Sequence, residues 1–198
     1  MFIDTHLHLE NNKNTINIID EALKNNVGMF IVSGCDKKGI IDTIGLIKQY
    51  DNIYATIGFH PSEADVISDE DIIWLEKLIK ENAKIIGIGE IGLDYHYGKD
   101  NKENQQKLFI KQLELAKKLN MPVVIHTREA FADTYNLLRE SKLTGIIHCF
   151  SGSLEVAKRY INLGQVPAPT PHKVLGPGIF GRGIPRGPRA TSMGTGLS

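Results

Sequence analysis

Short apolar runs alternate with amphipathic helical stretches over residues 1–163 of this chain of 198 residues. The runs are rich in Ile and Val, which is typical of parallel strands that are buried on both faces. They lie at Phe2–Thr5, Met29–Ser33, Ile53–Phe59, Lys84–Gly89, Pro122–Ile125 and Gly145–Ile147. The helical stretches lie at about Ile16–Asn26, Lys37–Tyr50, Asp69–Glu81, Glu103–Leu119, Ala130–Ser141 and Leu154–Leu163. Six β/α units in series predict a parallel sheet with right-handed crossovers.

Two α/β architectures fit this alternation: an open doubly wound sheet, and an incomplete TIM-like (β/α) barrel with about six of its eight units. The strand ends of a barrel all open onto one face, whereas an open sheet brings together only the residues near its switch point. Five of the six predicted strands end in a histidine or an acid, so we expect the barrel. The residues that would converge at its mouth are His6, His8, His60, Glu90, His126 and His148.

The composition changes sharply after residue 163. Residues 164–198 contain eight Gly and six Pro, with no Asp, Glu or Asn. Proline and glycine recur too often there for a regular helix or a central strand. We therefore expect a partial barrel over residues 1–163, followed by an irregular Gly/Pro/Arg-rich tail over residues 164–198.

Charge and cysteine content limit the class of protein. The 23 basic and 23 acidic side chains balance, so a broad electrostatic grip on nucleic acid is not indicated. Bound divalent cations could still supply positive charge locally. Two cysteines, Cys35 and Cys149, suit a reducing compartment. No apolar run is long enough for a signal peptide or a membrane span. We expect a cytoplasmic protein without a membrane partner, and no protein partner is evident.

The end of the first predicted strand reads Asp4-Thr5-His6-Leu7-His8. Side chains alternate along a strand, so Asp4, His6 and His8 should point to one side. The two imidazoles could then share one metal ion, with Asp4 free to orient a ring. A glutamate follows another apolar run at position 90, where burial without a partner would be costly. Glu90 is interpreted either as half of a buried salt bridge or as a carboxylate that bridges two cations.

His126 and His148 each end a run of β-branched residues. Four imidazoles and one carboxylate suit a pair of divalent ions such as Zn²⁺ or Mn²⁺ better than an all-oxygen Mg²⁺ site. The predicted metal ligands are therefore His6, His8, Glu90, His126 and His148. Cys149 is not expected to act as a nucleophile, because neighbours on a strand point to opposite sides and its thiol should not contact His148.

Five segments resemble the signature segments of the TatD deoxyribonucleases, in the same order and at similar spacing. They are Met1–Leu9, Gly58–Pro61, Gly89–Tyr95, His126–Ala130 and His148–Gly152. The resemblance spans about Met1 to Gly164. It implies a TIM-like barrel, two divalent ions (Zn²⁺, Mn²⁺ or Mg²⁺), and hydrolysis of phosphodiesters that releases nucleotides from DNA ends. DNA, single-stranded or at an end, is then the expected partner.

Carried over by position, the resemblance also implies roles for individual residues. His6 and His8 would hold the first ion, and His126 and His148 would hold the second. Glu90 would bridge the two ions and be the catalytic carboxylate. Substrate contacts are expected from His60, Asp94 and Arg128. For Arg128, an ordinary loop cation is an equally good interpretation.

The chain departs from the TatD pattern towards its C-terminus. Family members continue for about two more β/α units, and the seventh strand region carries an acidic segment whose aspartate binds the first metal. No acidic residue follows Glu155. We therefore expect a chain that is truncated or chimeric after about residue 163, for instance by a frameshift, with impaired activity. Two alternatives stay open: an amidohydrolase acting on a small amide, lactone or phosphotriester, and a non-catalytic metal-binding fragment.

Overall fold

The computed structural model describes residues 1–96 and 100–169. Strands and helices alternate along these residues, with a short 3₁₀ turn at Pro61–Glu63. The strands are β1 Phe2–Leu7, β2 Val27–Gly34, β3 Ile53–Ile57, β4 Ile85–Asp94, β5 Val123–Arg128, β6 Gly145–Phe150 and β7 Gln165–Pro169. The helices are α1 Lys13–Lys24, α2 Lys37–Gln49, α3 Asp69–Glu81, α4 Lys102–Leu119, α5 Phe131–Ser141 and α6 Leu154–Asn162.

The sheet is parallel, and its strands follow chain order from β1 to β7 without the reversal that a doubly wound sheet requires. It is also strongly curled. The ring of His6 on β1 stacks on the ring of His148 on β6, with 3.6 Å between centroids. In a flat sheet these two strands would lie roughly 24 Å apart, at about 4.8 Å per strand. The predicted incomplete TIM-like barrel is confirmed.

The structure has seven strands where the sequence pattern predicts six. Residues 165–169 form β7, which pairs in parallel with β6 from Gly145↔Gln165 to Phe150↔Pro169. Proline is tolerated there because an edge strand needs no donor on its open side. The side chain of Gln165 also donates to the carbonyl of Leu143 at 2.6 Å. The edges of the described sheet are thus β1 and β7, and residues 170–198 of the predicted tail lie outside the described residues.

The core lies between the outer face of the sheet and the helices. Each of the five strands from β2 to β6 contributes a fully buried aliphatic side chain: Val32, Ile57, Ile88, Ile125 and Ile147. Burial of each such side chain stabilises the fold by roughly 1.5–3 kcal/mol. Buried side chains from four helices pack against them: Leu46, Leu75, Ala116 and Leu138. This packing against the helices holds the sheet in place.

β4 and β5 are among the five strands that extend further than the apolar pattern predicts. β4 continues through Glu90 to Asp94, and its pairing with β5 runs from Ile88↔Val123 to Asp94↔Arg128. The ladder continues because backbone hydrogen bonds do not depend on the polarity of the side chains. The residues predicted to follow these strands therefore lie inside them and share their rigidity.

Helix α3 begins with a side-chain cap at Ser68. Ser68 accepts a hydrogen bond from the backbone N–H of Asp71, whose carboxylate in turn accepts one from the N–H of Ser68. Such a capping box satisfies two otherwise unpaired donors.

Within the described residues, the helices are too short or too polar to cross a membrane.

Candidate metal centre

Three strands change register at the positions of predicted site residues. The shifts fall within the intervals Asp4–Leu7 in β1, Ile88–Ile91 in β4 and Ile147–Phe150 in β6. A β-bulge adds a residue to one strand and thereby re-aims a side chain. His6, Glu90 and His148 lie inside these three intervals, so simple alternation does not set the direction of their side chains.

Glu90 lies at the centre of the site and is only 5% exposed. Its Oε2 atom is 3.4 Å from Nε2 of His6 and 3.7 Å from Nε2 of His8. Its Oε1 atom is 3.1 Å from Nδ1 of His126. One oxygen therefore faces the imidazoles of His6, in β1, and of His8, just after it, and the other faces the imidazole of His126 in β5. A carboxylate placed in this way can be shared between two cations.

In the part of the chain that the structure describes, two groups of side chains have ligand atoms within 4.8 Å of one another, and both include Glu90. His6, His8 and Glu90 form the first group, as predicted for the first ion. His60, Glu90 and His126 form the second group, in which the ring centroids of His60 and His126 are 4.5 Å apart. The sequence predicted His148 as a ligand of the second ion and His60 as a residue that contacts the substrate. Neither group, among the described residues, includes His148, whose ligand role stays a prediction.

Hydrogen-bond partners orient two of the imidazoles. Nδ1 of His8 is 2.9 Å from the carbonyl oxygen of Ser33, so it donates there and leaves Nε2 for the side of Glu90. Nε2 of His126 is 2.9 Å from Oδ2 of Asp94, while its Nδ1 faces Glu90. Asp94 is buried and holds this ring in place. The predicted contact of Asp94 with substrate stays a prediction.

The charges in the centre depend on one another. Burial opposes ionisation of Glu90, but the hydrogen bond from His126, the neighbouring imidazole of His6 and the charge of His148 outweigh it and hold the pKa of Glu90 well below its usual range. Burial also lowers the pKa of His126. Hydrogen bonds to Glu90 and Asp94, together with their charges, more than offset that effect and raise the pKa of His126. The carboxylates and imidazoles of the centre therefore stabilise each other's charged forms.

Two further imidazoles are neutral near neutral pH. Burial, reinforced by the charge of His126, lowers the pKa of His60 to about 4. Burial, reinforced by the charge of His6, lowers the pKa of His148 to about 4 as well. A neutral imidazole offers a lone pair, so either ring can accept a cation without first losing a proton.

The donor set fits divalent cations. Nε2 of His6 is buried and makes no hydrogen bond within the described residues, although it lies 3.4 Å from Glu90. A cation would satisfy this orphaned nitrogen. Imidazole nitrogen combined with carboxylate oxygen is a ligand set typical of Zn²⁺ and Mn²⁺. The clusters of histidine and glutamate therefore support divalent metal binding.

The position of the Cys149 thiol contradicts the prediction that it does not contact His148. Its Sγ atom is 2.9 Å from Nε2 of His148, whereas strand alternation predicts that the two side chains point apart. Alternation fails because Cys149 has a φ of 47° and lies in the bulge of β6. Burial and the charge of Glu90 raise the pKa of Cys149, so the thiol stays protonated and is a poor nucleophile.

Cys35 also lies beside the centre, and sequence reasoning assigned it no role. Its Sγ atom is 3.9 Å from Oε2 of Glu90 and 3.8 Å from Nδ1 of His8. Burial and the charge of Glu90 raise the pKa of Cys35 to about 12. The one available signal was its position directly after the second strand, where the other polar strand ends converge.

The rim of the site carries the third predicted substrate residue. Arg128 is the last residue of β5, is exposed, and lies opposite Asp94 in the register of the sheet. Nearby, Nδ1 of His96 is 2.7 Å from Oε1 of Glu129. Contact between Arg128 and a phosphate stays a prediction.

A cavity of about 420 Å³ extends inside the barrel from His6 and His148 to β7.

Comparisons with known proteins cover the region that contains the candidate metal centre. The family described as TatD related DNase matches residues 3–171. The chain is 38% identical over 169 residues to the uncharacterized metal-dependent hydrolase YabD of Bacillus subtilis, a match that covers 82% of this chain and 66% of YabD. It is 33% identical over 172 residues to the uncharacterized metal-dependent hydrolase YcfH of Escherichia coli, covering 82% of this chain and 63% of YcfH.

Among solved structures, the TatD homologue YjjV of Escherichia coli superposes with a TM-score of 0.79 at 32% identity. The superposition covers 84% of this chain and 66% of YjjV. The chain thus spans somewhat less than two thirds of the length of relatives such as YcfH, of which it covers 63%. Because the family match extends over most of the chain and the relatives align over the same region, the chain belongs to the TatD related DNase family of metal-dependent hydrolases.

Proposed function

We propose that this chain carries the cation centre of a hydrolase that cleaves phosphodiester bonds in DNA, releasing nucleotides from an end, with two divalent ions around Glu90. One observation carries the proposal: the two oxygens of Glu90 face two separate imidazole groups. A carboxylate shared between two ions is typical of enzymes that hydrolyse phosphate esters. The family's description supports DNA as the substrate.

The protein's own residues position the reacting groups. When bound, divalent ions would polarise a phosphate oxygen and make a water molecule more acidic. Glu90 holds the two imidazole groups at a fixed separation, because both of its oxygens are engaged. Asp94 keeps the ring of His126 aimed at Glu90, and the carbonyl of Ser33 does the same for His8.

Contacts with DNA are expected at the rim. Arg128 lies exposed at the end of β5, where its guanidinium can bind a phosphate oxygen. The net charge of the chain is zero, so the attraction for DNA has to come from such local groups and from the ions. Two free thiols in the described residues support a reducing compartment, and we place the protein in the cytoplasm.

An end-labelled single-stranded DNA tests the proposal. Chelator-treated protein should be inactive, and Mn²⁺ or Mg²⁺ should restore stepwise release of nucleotides. Glu90→Ala should abolish this release, whereas Glu129→Ala, which removes a carboxylate outside both ligand groups, should retain it. Activity that survives Glu90→Ala or the chelator would refute the proposal. Hydrolysis of a phosphotriester or lactone, with DNA left intact, would support the amidohydrolase alternative, and metal binding without turnover would support the non-catalytic one.

A further inference from the structure

Two buried glutamines lie on the side of α4 that faces the sheet. Gln105 is 2% exposed and Gln112 is fully buried. Their positions, seven residues apart, continue the apolar face to which Leu108 and Leu113 belong. Burying an amide among apolar side chains is costly unless its donors and acceptor are bonded. Both glutamines meet this requirement in the same way, by binding the backbone next to the candidate metal centre.

Gln112 binds the backbone of Phe59 with both ends of its amide. The N–H of Phe59 donates to Oε1 at 2.7 Å, and Nε2 donates to the carbonyl of Phe59 at 2.9 Å. Phe59 lies just beyond β3 and directly precedes His60. Because the N–H of His60 donates to Cys35 on the β2 side, the polar backbone groups of Phe59 face the opposite side, towards β4. The amide of Gln112 there takes the place of a neighbouring strand.

Gln105 makes the equivalent pair of bonds at the end of β4. The N–H of Asp94 donates to Oε1 at 2.8 Å, and Nε2 donates to the carbonyl of Asp94 at 2.9 Å. The N–H of Tyr95 donates to the carbonyl of Arg128 on β5, so the polar backbone groups of Asp94 face the β3 side. Nε2 of Gln105 also donates to Oδ1 of Asn101 at 2.8 Å.

We infer that Gln105 and Gln112 are positioning residues for the second ligand group, an inference that rests on the proposed function. Gln112 sets the backbone that carries His60. Gln105 sets the backbone of Asp94, whose carboxylate holds the ring of His126. One helix thus fixes, through two amides, two of the three residues that would hold a second cation. The first group depends instead on β1 and on the carbonyl contact of His8 with β2.

Titration of the chelator-treated full chain with Mn²⁺, followed by calorimetry, tests this inference. Gln105→Leu and Gln112→Leu should each weaken the second site by about 10–100-fold, as is usual when a group that orients a metal ligand is lost. The first site should stay within about twofold of the unmodified chain. The losses should multiply in the double variant, because each amide holds a separate backbone segment. Any DNA cleavage lost in the variants should return at higher Mn²⁺, with an unchanged KM for DNA.

A matched control separates positioning from stability. Leu113→Ala removes a buried side chain of the same helix, so it should lower the Tm while leaving both Mn²⁺ affinities within about twofold of the unmodified chain. Gln112→Glu preserves the shape and the acceptor for the N–H of Phe59, and burial favours its protonated form, which can donate to the carbonyl of Phe59, so it should lose less affinity than Gln112→Leu. If Gln105→Leu and Gln112→Leu fold yet keep the affinity of the second site, the inference is overturned.

The two proposals fail in different ways. Two Mn²⁺ sites without DNA cleavage would overturn the proposed function, while the calorimetric comparison of the glutamine variants would still decide the inference. DNA cleavage that depends on Glu90, together with unchanged Mn²⁺ affinity in the glutamine variants, would overturn the inference alone. An unmodified chain that binds no Mn²⁺ would overturn both.

Discussion

Glu90→Gln is the most informative single change, because it removes a charge and almost nothing else. The two side chains have the same shape, and the site is only 5% exposed, so packing should persist. Imidazole nitrogens of His6, His8 and His126 lie 3.1–3.7 Å from the carboxylate oxygens. The substitution removes the negative charge that faces these rings and the proposed cations, and puts a neutral carboxamide in its place.

The expected loss of cation binding follows from this geometry. Two unit charges about 4 Å apart, at an effective dielectric constant near 20, interact by about 4 kcal/mol. A divalent ion doubles that interaction, whereas the carboxamide oxygen of glutamine retains part of it as a dipole. Taking about 4 kcal/mol as the net loss, and about 1.4 kcal/mol per factor of ten, affinity should fall about a thousandfold. Because Glu90 belongs to both ligand groups, both sites should weaken.

Calorimetric titration of chelator-treated protein with Mn²⁺ measures this loss. Glu129→Gln is the matched control, because it makes the same chemical change in an exposed pair with His96 at the rim. The control should bind Mn²⁺ as the unmodified chain does. Affinity of Glu90→Gln within threefold of the unmodified chain at either site would refute the reasoning that Glu90 is shared.

Three further predictions follow from the site and its surroundings. His6→Ala and His126→Ala each disrupt one ligand group, so each should reduce the tightly bound Mn²⁺ from two ions to one; elemental analysis that finds two in either variant would contradict separate groups. The folded chain resists protonation of His60 down to about pH 4, whereas the unfolded chain accepts the proton near 6.5, so the metal-free Tm should fall as the pH drops from 6.5 to 4. A constant Tm across that window would count against this. Gly92→Ala would drive a Cβ into the carbonyl oxygen of His126 at a φ of 142°, and urea unfolding should show a loss of about 1–3 kcal/mol. Gly39→Ala, whose Cβ would make ordinary contacts, should show no such loss.

The outcome at β7 shows how context overrides a local signal. Residues 165–169 contain two prolines, and on that ground they were expected to be irregular. They nevertheless pair with β6, because an edge strand has one side that needs no hydrogen bonds. Position in the sheet is a property of the whole fold, so no reading of this segment alone could predict the strand.

In the two ligand groups, too, the sequence predicts some features and the tertiary structure decides others. The apolar runs and the polar residues that end them were enough to predict the barrel, and to predict that His6, His8, Glu90 and His126 meet at its mouth. The pattern along the chain did not predict which side chains His60 and His148 contact. His60 follows β3 and lies against His126, while the bulge in β6 carries the ring of His148 onto His6.

Sequence alone therefore determined the architecture and most of the residues at the centre, because hydrophobic periodicity and polar strand ends are local properties of the chain. The tertiary structure decided which atoms face each other. Register shifts in three strands aim the side chains, and the amides of Gln105 and Gln112 bind backbone 11 and 53 positions away along the chain. Such contacts depend on how separate segments pack, and a pattern that is read along one segment does not contain that information.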